Sequence, residues 1–170
     1  GRYFEGQVIV APHNVTPDNI RRIKKLFEGR PGEGRALLYS ERESAPKPIE
    51  TYQILIIDGI GMLQSLYRYA TIVIVGGGFD RGVHNTLEPA VFGKPILFGP
   101  NFEKFTEAVD MRNLGGAIMF DDFFKFRDGI IELLRRDNAE NAGKVNRLYI
   151  SENAGGTATV LFYIEDLLDA

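Results

Sequence analysis

One stretch, Thr71 to Gly99, constrains most of what this chain can fold into. Thr71-Ile72-Val73-Ile74-Val75 is a β-branched run with no polar side chain after the threonine, the pattern of a parallel strand covered on both faces. Gly76, Gly77 and Gly78 stop it, and without a Cβ they allow positive φ and close approach of a ligand to the backbone. A loop so placed lies at the carboxyl end of its strand, where open α/β sheets bind ligands. Asn85-Thr86-Leu87-Glu88-Pro89 then reads as a helix start, because asparagine is a favoured N-cap and proline is tolerated in the first turn. Gly93 ends that helix, and Pro95 to Phe98 resumes the sheet. His84, Asn85 and Glu88 are thereby gathered at one rim, beside a helix N-terminus able to attract an anion.

Each of these residues has a second reading. Asn85 and Glu88 stand at the N-x-x-E spacing of a capping box, in which the carboxylate only satisfies a backbone amide. Spacing alone leaves cap and ligand contact both open. The glycine triplet lacks the G-x-G-x-x-G spacing of a dinucleotide fingerprint. A lone histidine such as His84 is more often structural or solvated than functional.

The rest of the chain repeats the alternation. Gln7 to Ala11 is a short buried strand, with Pro12, His13 and Asn14 at its carboxyl end. Thr16-Pro17-Asp18 opens a helix, with Thr16 as N-cap and Pro17 at the first helical position. Ile20, Ile23, Lys24, Leu26 and Phe27 form its stripe at three-to-four spacing, and Arg21, Arg22, Lys24 and Lys25 a solvated basic face, with a role near anionic lipid as the alternative. Gly29 to Gly34 is a flexible break, Arg35 to Tyr39 the second strand and Ile54 to Ile57 the third. The third strand ends in Asp58-Gly59-Ile60-Gly61-Met62, a glycine turn before a helix whose amides can receive a phosphate. Leu63, Leu66 and Tyr67 have ordinary core spacing. Asn101 to Asn113 reads as an amphipathic helix with Phe102, Phe105, Val109 and Met111 inward, ended by Gly115-Gly116. Ala117 to Phe120 is a sixth strand. Asp121-Asp122 could bind a metal, but adjacent acids at a helix start more often complement its dipole. Helices near Ala139 to Ser151 and from about Gly156 to Leu168 complete the pattern. Six strands alternating with helices predict a doubly wound, parallel six-stranded Rossmann-like sheet of order 3-2-1-4-5-6.

A chain of 170 residues, 44% of them hydrophobic, can bury one core, so a single domain over residues 1–170 is expected. The net charge of −3, with acids and bases interspersed, provides no basic field for nucleic acid. There is no cysteine, which excludes disulfides and thiolate metal sites. The longest apolar runs are strand-length rather than membrane-spanning. Gly1-Arg2-Tyr3-Phe4-Glu5 has no apolar signal-peptide region and reads as a boundary within a longer protein.

Gly77-Gly78, a short loop, His84-Asn85-Thr86-Leu87-Glu88-Pro89-Ala90 and then Phe92 to Phe102 together resemble the carboxy-terminal half of 3-deoxy-D-manno-octulosonic acid (Kdo) transferases of lipopolysaccharide biosynthesis. The likeness extends from about Val8 to the end and is densest from His84 to Pro100. It implies the donor-binding half of a two-domain GT-B glycosyltransferase, which moves Kdo from CMP-Kdo to a lipid A precursor at the cytoplasmic face of the bacterial inner membrane. It also implies that the acceptor domain and its catalytic glutamate precede Gly1, that no metal or other cofactor is required, and that the isolated chain is soluble and binds without catalysing. The donor contacts it implies are Pro12 and His13, then Ile60, Gly61 and Met62, then Gly77, His84, Asn85, Thr86, Leu87 and Glu88. The carboxylate of Glu88 would accept the ribose hydroxyls. Arg42 lies where the family has basic residues near the donor, though a surface role comes first for it. Two departures stand out: Gly82-Val83-His84-Asn85 replaces the family's Gly-Gly-His-Asn, and Met62 stands where glutamate is common. Two other functions compete, a nucleotide-sugar epimerase or dehydrogenase and a noncatalytic nucleotide-binding module. The missing dinucleotide fingerprint argues against the first.

Overall fold

The computed structural model describes residues 6–28 and 36–168, without the side chains of residues 157–159, 163, 165 and 167. The predicted break at Gly29 to Gly34 and the predicted strand start at Arg35 lie outside those residues. The chain forms two compact units, Gly1–Ser65 and Leu66–Ala170.

In the first unit, strands β1 (Val8–Val10), β2 (Ala36–Leu38) and β3 (Ile54–Ile56) form a parallel sheet with β3 in the centre. Helix α1 (Pro17–Glu28) follows β1, and the short helix α2 (Leu63–Leu66) follows β3. The entry to α1 is a tight polar turn: the Thr16 amide donates to Asn14 Oδ1 at 2.9 Å, and the Ile20 amide to the Thr16 carbonyl at 3.0 Å. Proline at the first helical position loses no bond, since that amide has no partner within a helix. Ile20 is buried on the predicted stripe, but Leu26 is exposed. Lys24, counted both in the stripe and on the basic face, is half-buried as the stripe implies and pairs with Glu41 at 3.0 Å. The prediction of a buried first strand is corrected as well. Val8 and Ile9 are exposed, because among the described residues β1 is an edge strand paired only with β3.

In the second unit, strands β4 (Val73–Val75), β5 (Ile96–Phe98) and β6 (Ala117–Met119) form a parallel sheet in the order β4-β5-β6. Its helices are α3 (Leu87–Val91), α4 (Thr106–Leu114), α5 (Phe123–Leu133), α6 (Asn138–Asn153) and α7 (Gly156–Leu168). Central β5 is buried on both faces, and Ile96 and Phe98 pack with Ala90, Phe102, Ala108 and Met111. On edge strand β4, Val73 and Val75 are buried while Ile74 is half exposed, so the expected cover on both faces is not found.

The α/β alternation and the parallel strands are as predicted; the single six-stranded sheet is not. The described residues form two three-stranded sheets, and in the first β3 lies between β1 and β2, whereas the predicted order put β2 beside β1. An apolar run specifies that a segment can be a strand, but partner choice depends on contacts remote in sequence, which a local pattern does not encode.

The predicted helix from Asn101 begins only at Thr106. Its first turn is lost because Asn101 is held elsewhere: its amide donates to the Gly78 carbonyl at 2.9 Å and its side chain to the Asp80 carbonyl at 3.2 Å. The other end is as read. Gly115 takes a left-handed conformation, and the Gly116 amide donates to the Met111 carbonyl at 2.8 Å, satisfying a last-turn oxygen.

Asn146 of α6 is fully buried and donates through Nδ2 to the carbonyls of Lys94 (2.7 Å) and Gly116 (2.8 Å), so one amide holds the entries to β5 and β6. Asn146→Ala leaves two carbonyls without this donor, and is expected to destabilise the protein by about 1–3 kcal/mol. Urea denaturation checks this; an unchanged midpoint would mean that water replaces the amide without cost.

Candidate functional site at the strand ends

In each unit the parallel strands end at a common rim, and the residues singled out by sequence fall on these two rims. In the first unit, Val10 and Ile56 are register partners, so Pro12 and His13 leave the sheet beside the turn of Asp58 to Met62. His13 is exposed, Pro12 and Met62 are half-buried, and the Ile60 side chain projects fully into solvent. Gly61 has a φ of 90°, which fits the glycine turn expected there. The short α2 that follows has only four residues. Asp58 anchors the turn, because its carboxylate accepts the Ser40 amide at 3.0 Å and the Ser40 hydroxyl. This link between the ends of β2 and β3 was not foreseen; only the polarity of two residues distant in sequence hinted at it. Arg42 stacks on Tyr39, 4.4 Å from the ring centre, and its side chain donates to Glu43, so it lies on the surface as first read.

In the second unit the glycine loop is built by close backbone contact. Gly77 has a φ of 89°, and its carbonyl accepts the amides of Asp80 (3.2 Å) and Gly82 (3.3 Å). A Cβ at Gly77 would strike the Gly82 carbonyl and lie 2.5 Å from Cδ2 of His84. The His84 ring therefore lies against this glycine, and its amide donates to the Gly76 carbonyl at 2.9 Å. Gly78 and Gly99 pack backbone to backbone, each where a Cβ would come within 2.8 Å of the other. The loops after β4 and β5 are thus locked together, which explains the spacing of glycines better than ligand approach alone.

Beyond the loop, the Leu87 amide donates to Asn85 Oδ1 at 3.0 Å, and Asn85 Nδ2 donates to Glu88 Oε1 at 3.0 Å. This is half of a capping box: asparagine holds a first-turn amide as predicted, but Glu88 takes a side-chain amide in place of a backbone one. Helix α3 has five residues and its formal cap position is Thr86, one residue later than expected. Thr86 is fully buried, so it supports the arrangement from beneath; His84, Asn85 and Leu87 are exposed and Glu88 half-buried.

Tyr67, read only as core spacing, belongs to this group too. It is buried among Val73, Val83 and Ala90, with its ring 6.0 Å from that of Phe92. Burial, the charge of Glu88 and a side-chain hydrogen bond to Glu88 push its hydroxyl pKa up to about 12. The missed signal was a hydroxyl at a core position, which needs a buried partner.

Asp122 caps α5 by accepting the Lys125 amide at 2.8 Å, and Asp121 pairs with the Lys125 ammonium at 2.6 Å, so both acids serve the helix start. Among the described residues no group of three His, Cys, Asp or Glu side chains could hold a metal ion. Among them, too, no helix is long and apolar enough to cross a membrane.

Parallel strands, crossover helices and a glycine loop at the carboxyl rim define an α/β protein of the kind that binds ligands at its strand ends. Its fold matches a crystal structure of the C-terminal CMP-Kdo binding domain of WaaA from Acinetobacter baumannii, with a TM-score of 0.67 at 20% identity over 82% of this chain and 71% of that one. In sequence the chain is similar to the 3-deoxy-D-manno-octulosonic acid transferase of Rickettsia typhi, 37% identical over 126 residues, which is 74% of this chain and 27% of the relative. The transferase of the same name from Bordetella pertussis is 29% identical over 140 residues, 80% of this chain and 33% of the relative. The chain thus spans between a quarter and a third of the length of these relatives. No family model matches it. The resemblance drawn from the His84 to Pro100 string is borne out by these homologues.

Proposed function

We propose that this chain binds CMP-Kdo and forms the donor-binding part of a glycosyltransferase that moves Kdo to a lipid A precursor. The observation that carries the reading is Glu88, whose half-buried carboxylate is fixed by Asn85 next to a glycine loop at the carboxyl rim of a parallel sheet. Similarity to Kdo transferases over most of the chain supports the choice of donor.

In this reading the Glu88 carboxylate accepts the two ribose hydroxyls. The amides of the glycine loop around Gly77 take the phosphate as its charge grows on departure of the sugar. His84, on the same rim, contributes a further contact. The base that activates the acceptor hydroxyl is supplied by a glutamate outside this chain, and the whole enzyme works at the cytoplasmic face of the inner membrane. The leaving group is stabilised by amides and side chains rather than by a metal.

Thermal denaturation with CMP, UMP, UDP and NAD tests this. CMP is expected to raise the melting temperature most, since a ligand at 100 times its Kd stabilises by about 2.7 kcal/mol. A larger shift with NAD would replace this reading with a dinucleotide enzyme, and equal shifts with all four would leave a noncatalytic nucleotide-binding module.

A further inference from the structure

Phe79 lies in the glycine loop between Gly78 and Asp80, and no donor contact above uses it. It is 58% exposed, yet what surrounds it is fixed. Asn101 holds the backbone on both sides, donating from its amide to the Gly78 carbonyl at 2.9 Å and from its side chain to the Asp80 carbonyl at 3.2 Å. One ring edge lies on Gly99, where an added Cβ would come 2.8 Å from Phe79 Cδ2. The ring also packs on Phe120, with 5.3 Å between centres, and Phe120 in turn packs on Phe126 of α5 at 5.0 Å. Covering the exposed part of so large an apolar ring is favourable.

The side of the sheet on which the ring lies follows from the alternation of the strands, whose successive side chains point to opposite faces. Val75 and Phe98 pack with Val83 and Ala90 on one face, whereas Leu97, Ile118, Phe120 and Phe126 belong to the other. The loop from Gly76 to His84 therefore straddles the end of the sheet. Its first half sets Phe79 against Phe120 on the α5 face, and its second half carries Val83, and then Glu88 on α3, to the opposite face. Gly77, two residues before Phe79 and in contact with the His84 ring, stands between them.

We infer that Phe79 is a specificity-determining residue that receives the transferred sugar of the donor, its exposed ring lying against the C–H face of the sugar ring. The inference rests on the donor reading proposed above, with the phosphate at the Gly77 amides and the ribose at Glu88 on the α3 face. A sugar ester of a nucleoside monophosphate has two arms on one phosphorus. With the ribose arm on the α3 face, the sugar arm leaves toward the α5 face, where Phe79 stands. The base hangs from the ribose and so lies on the far side of Glu88 from this ring. A sugar ring carries hydroxyls round its edge and C–H groups on its faces, so it covers an aromatic ring while its hydroxyls stay hydrated. Ligand sites combine a few polar anchors with aromatic walls in this manner. Because Asn101, Gly99 and Phe120 already fix the ring, little side-chain freedom is lost on binding.

The test is calorimetric titration of the 170-residue chain and its variants with CMP, which lacks the sugar, and with CMP-Kdo, circular dichroism verifying the fold. The wild type is expected to bind CMP-Kdo more tightly than CMP. Phe79→Ala should weaken CMP-Kdo binding roughly 3- to 12-fold, the range for one aromatic contact, and leave CMP binding within about 1.5-fold. Phe79→Tyr keeps the ring and should keep the wild-type preference. CMP controls for the shape of the loop, because its phosphate uses the amides around Gly77. Equal losses for both ligands in Phe79→Ala would make Phe79 a support for the loop, and no loss for either would leave its ring to something other than the donor; each result overturns the inference. So does a wild type that binds CMP and CMP-Kdo equally well. A wild type that binds neither ligand would instead overturn the donor reading itself.

Discussion

Gly77→Ala is expected to damage this protein more than any other single methyl group added at the glycine loop. Two costs combine. The backbone sits at a φ of 89°, where an L side chain is strained by about 1–3 kcal/mol. The added Cβ would also strike the Gly82 carbonyl and lie 2.5 Å from the His84 ring, so the loop must open, and overpacking of this kind costs about 1–3 kcal/mol more. The sum, about 2–6 kcal/mol, should appear as a lower urea midpoint and as loss of measurable CMP binding. Gly115→Ala is the control, because Gly115 shares the φ of 89° but has no described residue within 4 Å of its absent Cβ. It should show the backbone cost alone and keep full affinity for CMP. If the two variants are equally destabilised, the packing of His84 and Gly82 on Gly77 contributes nothing.

The second large effect is expected at Glu88, this time on binding. Glutamine has the same shape and can still accept from Asn85 through its amide oxygen, so Glu88→Gln should fold and melt like the wild type. It lacks the charge, and a hydrogen bond to a charged group contributes about 1.5–3 kcal/mol. If the carboxylate receives the ribose hydroxyls, CMP affinity should fall roughly 10- to 150-fold. Calorimetry with 2′-deoxy-CMP separates this from general loss of the site: the wild type should bind the deoxynucleotide poorly, and Glu88→Gln should scarcely distinguish the two ligands. Equal losses in both proteins would leave Glu88 as a support for Asn85 and move the ribose contact elsewhere on the rim.

The sequence by itself determined which segments become strands and which become helices, because those choices are made by local chemistry. The β-branched run of Val73 to Val75, proline at the start of α1, Gly115 at the end of α4 and Asp122 before α5 each act on neighbours within a turn or two, and each lies where it was read. The glycine loop, Asn85 and Glu88 were legible for the same reason. Only the tertiary structure decided the partners. It set β3 between β1 and β2, took Asn101 from its helix to hold Gly78, buried Thr86 under the rim and packed Tyr67 beside Phe92. Asn146 makes the point most clearly, since its bonds reach back 52 and 30 residues, to Lys94 and Gly116. A side chain's periodicity records which face it lies on. Which group it meets there depends on how remote segments close on one another, and that closure is decided by packing the whole core at once.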